Sequence, residues 1–567
     1  MNIKNKFFPL AALAAPAIFS PSCKEQSERP NVIVVIVDDL GFSDLGCFGG
    51  EIPTPNLDKL ADNGVRFTQF YNTGRSCPSR GALLTGLYPH QVGLGRMTFD
   101  QQLPGYTGNL SQNAVTIAEL LRQQNYSTAM IGKWHVTETP LRHDQRQWLA
   151  HHVQYDDFGP RNSYPTRRGF DYCYGTIYGV INFFDPFSLI YGEEPVRTVP
   201  PDYYATIASA DSAVACVNRY AKTDNPFFMY LAFHAPHWPL HALPEDIEKF
   251  KDVYKDGWEP VRNKRYERIK ELGIFDVSGE FLSDRQFNDQ WEDNPDAEWD
   301  ARAMAVHAAM VYRLDKEIGK LIAALEKNGQ LENTLILFLS DNGASSEYCQ
   351  NYEPGENDRP AELRNGDPII YPRNKDVLPG PENTFAGIGP KWANVINTPF
   401  RFWKATMYDG GICTPVIVHW PKGVKLKGGS INSDLTHLID IMPTILEITG
   451  AKYPENFNGN EIIPLSGKSF ASVFKTGKRN IRHDFVAFEH FREKAMITDD
   501  GWKILQRPRD NEFEWELYNL NADRTEMQNI AEKHPEKIRE MVEKYKEWTQ
   551  WSGVLPAPQP LWNNRNN

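Results

Sequence analysis

Three carboxylates and an amide follow two apolar runs. Asp38-Asp39 comes after residues 31–37, and Asp341-Asn342 comes just after residues 334–339. All four side chains offer hard oxygen donors, which suit Ca²⁺ or Mg²⁺ and not zinc. An Asp-Asp pair after a strand can also serve as a turn or helix cap without any metal. The second pair shifts the balance toward a cation, because clustered carboxylates without one repel and raise their pKa values. Lys133 and His135 follow a third run, 127–131, with one residue between them. In extended chain both would point to one side, although a Lys-Trp-His can also be a surface loop. His234 and His237 follow a fourth run, 226–233, as His-Ala-Pro-His. That segment reads either as a reactive pair or as a turn with one satisfied core histidine. Lys404, in Arg401-Phe402-Trp403-Lys404, is either a solvated charge or a cation aimed at a ligand.

The elements that must position these groups are legible as runs and stripes. The stretch 31–37 is continuously apolar and β-branched, the signature of a strand buried on both faces of a parallel sheet. The runs 127–131, 226–233, 334–339 and 415–419 read alike. Between them, 116–124, 301–328 and 437–449 carry apolar residues at helical spacing, and Gly329 closes the second. Strands alternating with helices predict an α/β fold with a large, mixed, mostly parallel central sheet flanked by helices. Four strands end in chemically capable residues, and ligand sites in open α/β sheets form at the carboxyl ends of strands. Residues 140–204 show little periodicity and are expected to form long loops over the site. Past about residue 453, short strands are expected at 485–488, 495–498, 502–506 and 515–518, followed by a charged amphipathic helix at 533–550. The predicted organisation is an export signal at 1–23, a linker at 24–30, a catalytic domain at 31–452, a C-terminal subdomain at 453–551 with an antiparallel sheet and helix, and a tail at 552–567.

Bulk properties narrow the function. A chain of 567 residues exceeds one small core, and its net charge of −12 argues against a dedicated nucleic-acid binder. An anionic substrate would need a local basic pocket. Lys4 and Lys6 precede an apolar stretch over 7–19 that is too short to span a bilayer, followed by Ser20-Pro21-Ser22-Cys23. The pattern resembles a relaxed bacterial lipoprotein signal with Cys23 as the acylated residue, although the usual Leu three residues earlier is absent. The expectation is export to the periplasm of a Gram-negative bacterium, free or as an outer-membrane lipoprotein. A lipid anchor would be its one membrane contact. The other six cysteines are scattered without zinc-like spacing and read as small buried residues, with room for one disulfide.

The stretch Ser76-Cys77-Pro78-Ser79-Arg80-Gly81-Ala82-Leu83-Leu84-Thr85-Gly86 brings these fragments into one family. Alone it could be a Pro-Ser-Arg turn before a helix, with Arg80 stabilising the turn. With Asp38-Asp39, Gly132-Lys133-Trp134-His135, Ala235-Pro236-His237-Trp238-Pro239, Ser340-Asp341-Asn342-Gly343 and Lys404 before Gly410-Gly411, it resembles the ordered motif set of type I sulfatases. These are formylglycine-dependent enzymes of the alkaline phosphatase superfamily, and the nearest flavour is the arylsulfatase-like branch. Aligned on Pro78 and Arg80, the position oxidised to formylglycine is Ser76, and Cys77 falls on the variable position. The resemblance implies a serine-type formylglycine-generating maturase as a partner, and a sulfated small molecule or glycan as substrate. It implies a divalent cation, Ca²⁺ before Mg²⁺, held by Asp38, Asp39, Ser76, Asp341 and Asn342. It further implies attack on sulfur by a hydrate oxygen of the modified Ser76 through a sulfoenzyme intermediate. His135 would act as base for its collapse, His237 and Lys404 would act at the leaving oxygen, and Lys133 and Arg80 would offset charge on the sulfuryl oxygens. Two rival expectations are a phosphonate or phosphate ester hydrolase on the same scaffold, and a non-catalytic sulfated-glycan binder in which Ser76 stays unmodified. Trp238, Trp392, Trp403, Tyr178 and Phe183 are candidates for stacking on a sugar or aryl ring, or for packing.

Overall fold

The computed structural model describes residues 29–140, 156–275, 279–349, 352, 360–371, 375–508 and 514–555. The candidate export signal with Cys23, most of the linker, and the tail beyond 555 lie outside the described residues.

Strand β1 (Asn31–Val37) runs through the middle of the molecule, and only its first residue is not fully buried. Its side chains alternate between two cores. Ile33, Val35 and Val37 join one, and Val32, Val34 and Ile36 join the other. That two-sided burial is why the sequence shows an unbroken apolar run with no polar alternation. The remaining strands of the sheet are β2 (Val65–Tyr71), β3 (Ser127–Lys133), β4 (Tyr172–Thr176), β5 (Leu189–Tyr191), β6 (Glu194–Pro195), β7 (Phe227–Ala232), β8 (Thr334–Ser340), β9 (Cys413–His419), β10 (Ser430–Asn432) and β11 (Thr436–His437). The order is β10-β2-β9-β8-β1-β7-β3-β4-β5-β6, with β11 also on β2. The inner pairs β8-β1, β1-β7, β7-β3 and β3-β4 are parallel. By contrast β9 runs antiparallel to both β8 and β2. Val34 sits opposite Tyr230 on one side and Leu337 on the other, so the strands that carry the polar motifs end together.

Helices cover both faces. Ala297–Lys327, Ala205–Tyr220 and Pro55–Asp62 bury apolar residues in the core on the Ile33 side. Ser76–Thr85, Ile117–Gln123 and Ile441–Thr449 do so on the Val34 side. Thr116 caps the second of these, accepting from the Glu119 amide while Glu119 returns a bond to the Thr116 amide. After a small hairpin, β12 (Asn456–Phe457) and β13 (Asn460–Glu461), the chain forms an antiparallel sheet of β14 (Phe485–His490), β15 (Glu493–Thr498), β16 (Trp502–Gln506) and β17 (Trp515–Asn519). The helix Pro535–Ser552 packs on it through Met541, Tyr545 and Trp548.

One expectation needs correction. The segment 140–204 is not only loops, because β4, β5 and β6 extend the sheet beyond β3. These strands are five, three and two residues long, too short for periodicity to show. The helix Ala205–Tyr220 then returns the chain to the core. Among the described residues the six cysteines are buried and none is bridged to another.

Candidate active site

Hydrogen bonds gather the strand ends. The Asp341 amide donates to Val37 O (3.0 Å), and the Asp38 amide donates to Ala235 O (3.2 Å). Asp39 and His135 adopt left-handed backbone, φ 64° and 56°, a costly conformation for non-glycine residues that recurs where side chains must be re-aimed into a site. Ser76 is the first residue of the helix Ser76–Thr85, whose ten residues are all buried. Its Oγ donates to Asp341 Oδ2 at 2.7 Å. One turn on, Arg80 spans the centre. Its Nε donates to Ser76 Oγ (3.0 Å) and to Asp341 Oδ2 (3.0 Å), its Nη2 to Asp341 Oδ2 (2.7 Å), and its Nη1 to Lys133 O (3.0 Å).

The other predicted residues close the ring. Lys133 Nζ is in tight contact with Asp38 Oδ2, and His135 Nδ1 is 3.4 Å from Ser76 Oγ. Lys404 Nζ and Asn342 Nδ2 both donate to Asp39 Oδ1, at 2.7 and 2.6 Å. His237 Nε2 lies 3.5 Å from Asp39 Oδ2. His234 is elsewhere: it pairs with Thr176 Oγ1 (2.7 Å) and is the satisfied core histidine of the two. Cys77 is fully buried, and burial pushes its thiol up to about 12, so it is a poor nucleophile beside Ser76.

One oxygen on each of four of the five predicted ligands, all but Ser76, remains unsatisfied. Asp38 Oδ1, Asp39 Oδ2, Asp341 Oδ1 and Asn342 Oδ1 are buried without a hydrogen-bond partner. Each such atom costs on the order of 1–3 kcal/mol, so four at one place call for a common partner. Burial pushes the Asp39 carboxyl up to about 7, with Lys404 opposing and Asp38 and Asp341 adding to the rise. Burial likewise raises Asp341, helped by Asp38. For Asp38 burial is outweighed by Lys133, Arg80 and Lys404, which hold it below the usual carboxylate range. A hard divalent cation bound by these oxygens would satisfy all four and offset the carboxylate repulsion. Burial, reinforced by neighbouring lysines, holds His135 and His237 well below the ordinary histidine range, so both are neutral.

The comparison with known proteins follows this geometry. Residues 30–451 match the family described as Sulfatase. This chain belongs to the sulfatase family. Residues 400–550 also match the family described as N-sulphoglucosamine sulphohydrolase, C-terminal. The sulfatase is 32% identical to the arylsulfatase of Klebsiella aerogenes over 489 residues, covering 83% of this chain and 98% of that one. It is 27% identical to the N-acetylglucosamine-6-O-sulfatase of Bacteroides thetaiotaomicron over 566 residues, covering 93% and 87%. Among solved structures it resembles Ps i-CgsB in complex with k-i-k-neocarrahexaose, with TM-score 0.64 and 26% identity over 92% of this chain and 93% of that one.

Sequence reasoning about the sulfatase missed part of the wall. Glu347 accepts from Ser345 Oγ (2.9 Å) and, in a short contact, from the Trp238 indole, while Arg75 Nη2 lies 3.9 Å from it. Burial raises the Glu347 carboxyl, but Lys404, Arg75 and His237 win and hold it at about 2. The Trp238 ring lies 4.5 Å from that of His237. Of the other candidate stacking residues, Trp392, Tyr178 and Phe183 are at most 2% exposed and pack in the two cores. Trp403 is only partly buried against the core.

The loop that carries Lys404 is fixed from several directions. The Lys404 amide donates to Ala344 O (3.0 Å), and that of Ala405 to Gly74 O (2.8 Å). Glu493 of β15 accepts from the Met407 amide and Glu526, in the turn after β17, from the Asp409 amide, both at 2.9 Å. Asp409 pairs with Arg524 and with Lys503 (2.7 Å), and all three side chains are buried. Gly179 lies against His135, where a Cβ would come within 2.3 Å of the ring. We expect Gly179→Ala to displace that ring and lower kcat for sulfate esters by about 10- to 100-fold, since small misplacements of a reacting group carry penalties of this size. Steady-state rates beside a thermal melt would check this. An unchanged kcat would show that the ring position is immaterial.

Proposed function

We propose that this sulfatase hydrolyses sulfate monoesters of carbohydrates, and aryl sulfates in vitro, with Ser76 oxidised to formylglycine and Ca²⁺ held by Asp38, Asp39, Asp341, Asn342 and the modified Ser76. The observation that carries the reading is the set of four unpartnered oxygens around a serine bonded to Asp341. The oxidised side chain would supply a hydrated aldehyde as nucleophile, and the cation would supply charge that offsets the sulfuryl oxygens.

This chain's own residues do the rest. Asp341 Oδ2, 2.7 Å from Ser76 Oγ, takes the proton of the attacking hydroxyl. Arg80 bridges Ser76 and Asp341 and fixes their relative orientation through charge-assisted bonds. Lys133 and Arg80 stabilise negative charge on the transferred group. His135, neutral and beside Ser76, accepts the proton that accompanies sulfate release. Lys404 and His237 stand on the Asp39 side and serve the departing oxygen. For Lys404 burial opposes the charge, but Asp39, Glu347 and Asp38 outweigh it and keep the ammonium protonated as a donor. Support for a carbohydrate substrate comes from the relatives named above for such substrates. The basic and apolar start of the chain supports export to the periplasm, with Cys23 as the candidate anchor. A serine at position 76 supports a serine-type maturase.

The test pairs two measurements on protein from a maturation-competent host. The peptide that contains Ser76 should weigh about two mass units less than its unmodified form. The same preparation should hydrolyse aryl sulfate faster than the matching aryl phosphate, and faster phosphate turnover would overturn the proposal.

A further inference from the structure

The turn between β14 and β15 is built on Phe491 and Arg492, both at positive φ, 50° and 75°. Two-residue hairpin turns of this shape are ordinarily made by Asn and Gly. Bulky residues there store strain that persists only where the surroundings over-determine it, commonly at ligand clamps. The surroundings are two arginines. Arg75, the residue immediately before Ser76, places its guanidinium 5.8 Å from the centre of the Phe491 ring, and Arg96 places its own 4.9 Å from the same ring. The tip of the C-terminal sheet therefore reaches the residue next to the reacting side chain.

Around this tip the carboxylates hold hydrogen bonds of their own, and Arg96, itself buried, donates to Gln101 Oε1 (3.0 Å). Glu489 is bonded to His90 (2.9 Å) and to the Arg492 amide (3.0 Å). Glu493 is engaged with the Met407 amide and Arg507 (3.0 Å). Glu347 already accepts from Trp238 and Ser345, and its contact with Arg75 is a long 3.9 Å. Burial, then Arg75, His90 and Arg96, keep His490 at the base of the turn neutral. Arg75 is 23% exposed and presents a planar fork suited to carboxylate or sulfate oxygens. Glu347, 3.9 Å from Arg75, accepts from the Trp238 indole, and the Trp238 ring lies 4.5 Å from that of His237, so Arg75 stands on the His237 side of the pocket. On the mechanism proposed above, the organic part of the substrate would lie on that side.

We propose that Arg75, with Arg96 and the Phe491-Arg492 tip, forms a subsite for a second anionic group, a carboxylate or a sulfate, carried by the substrate beside the scissile ester. The inference rests on the sulfate-ester hydrolase reading and specifies its substrate class as polyanionic. In a protein of net charge −12, such a group must be recognised by local cations.

The matured enzyme would be assayed with 3-carboxyphenyl sulfate, benzene-1,3-disulfate and the neutral 3-carbamoylphenyl sulfate. The wild type should favour an anionic probe over the neutral one by about tenfold or more in kcat/KM, mostly through KM, as a charged hydrogen-bonded contact provides. Whichever of the first two is favoured identifies the group as carboxylate or sulfate. Arg75→Gln should bring the ratio near one, and Arg75→Lys should recover part of it by restoring the charge without the fork. A wild-type ratio near one, or a ratio unchanged in Arg75→Gln, would overturn the subsite while leaving the hydrolase reading intact. If no probe is turned over by protein whose Ser76 is shown to be oxidised, aryl turnover is refuted, and calorimetry on Ser76→Ala decides the subsite. Anionic probes should then bind about tenfold tighter than the neutral one, with the difference lost on adding Arg75→Gln. Equal affinities would overturn it.

Discussion

Ser76→Ala should abolish sulfate-ester hydrolysis, lowering kcat/KM by about 10⁴-fold or more, as losses of a nucleophile do. The side-chain oxygen is the hub of the site: Asp341 at 2.7 Å, Arg80 at 3.0 Å and His135 at 3.4 Å all converge on it. The variant should nevertheless fold. Arg80 keeps its two bonds to Asp341 and its bond to Lys133 O, so no buried charge is stranded. The two readouts are initial rates on an aryl sulfate and a circular-dichroism melt. A folded variant with undiminished turnover would remove Ser76 from the chemistry and leave the mechanism without a nucleophile.

Removing divalent cations should have the next largest effect, and its pH dependence has a definite sign. Without a cation, the Asp39 carboxyl sits at about 7, raised chiefly by burial from an ordinary value of 3.8. The folded protein then holds a proton that the unfolded chain has released. Stability therefore falls as pH rises from about 4 through about 7, and it levels off above that range. Asp341 shifts in the same direction, and Asp38 in the opposite one. Calcium competes with that proton, so it should raise the melting temperature more near about pH 8 than near about pH 5. At a hundredfold excess over its dissociation constant it would add about 2.7 kcal/mol. Activity should disappear in chelator and return with calcium. A calcium-induced shift in melting temperature that is the same across this pH range would refute the role given to Asp39.

The sequence exposed the site because the sheet is buried on both faces. β1 and β8 each carry an unbroken apolar run, and Asp38 follows the first directly while Asp341 follows the second after Ser340. The helix Ser76–Thr85 shows no apolar stripe for the opposite reason: every residue in it is buried, Arg80 included, so no face is marked as solvent. Only the motif revealed it. The edge strands β5 and β6 are too short to carry a period. Glu347 and Arg75 stayed hidden because their meaning lies in distant partners, such as Trp238, 109 residues before Glu347. Lys503 and Arg524 look like surface charges in sequence, yet both are buried against Asp409.

That last group has a consequence for the order of events on the ribosome. Asp409 is synthesised about a hundred residues before the lysine and arginine that neutralise it, and the carboxylates that hold the Met407 and Asp409 amides also come later. If the segment that aims Lys404 docked before β16 and the turn after β17 were made, it would bury Asp409 without these counter-charges, a state costing several kcal/mol. A product truncated before Lys503 would keep Ser76 and all the candidate ligand residues in sequence, yet its acid–base apparatus would be unfinished.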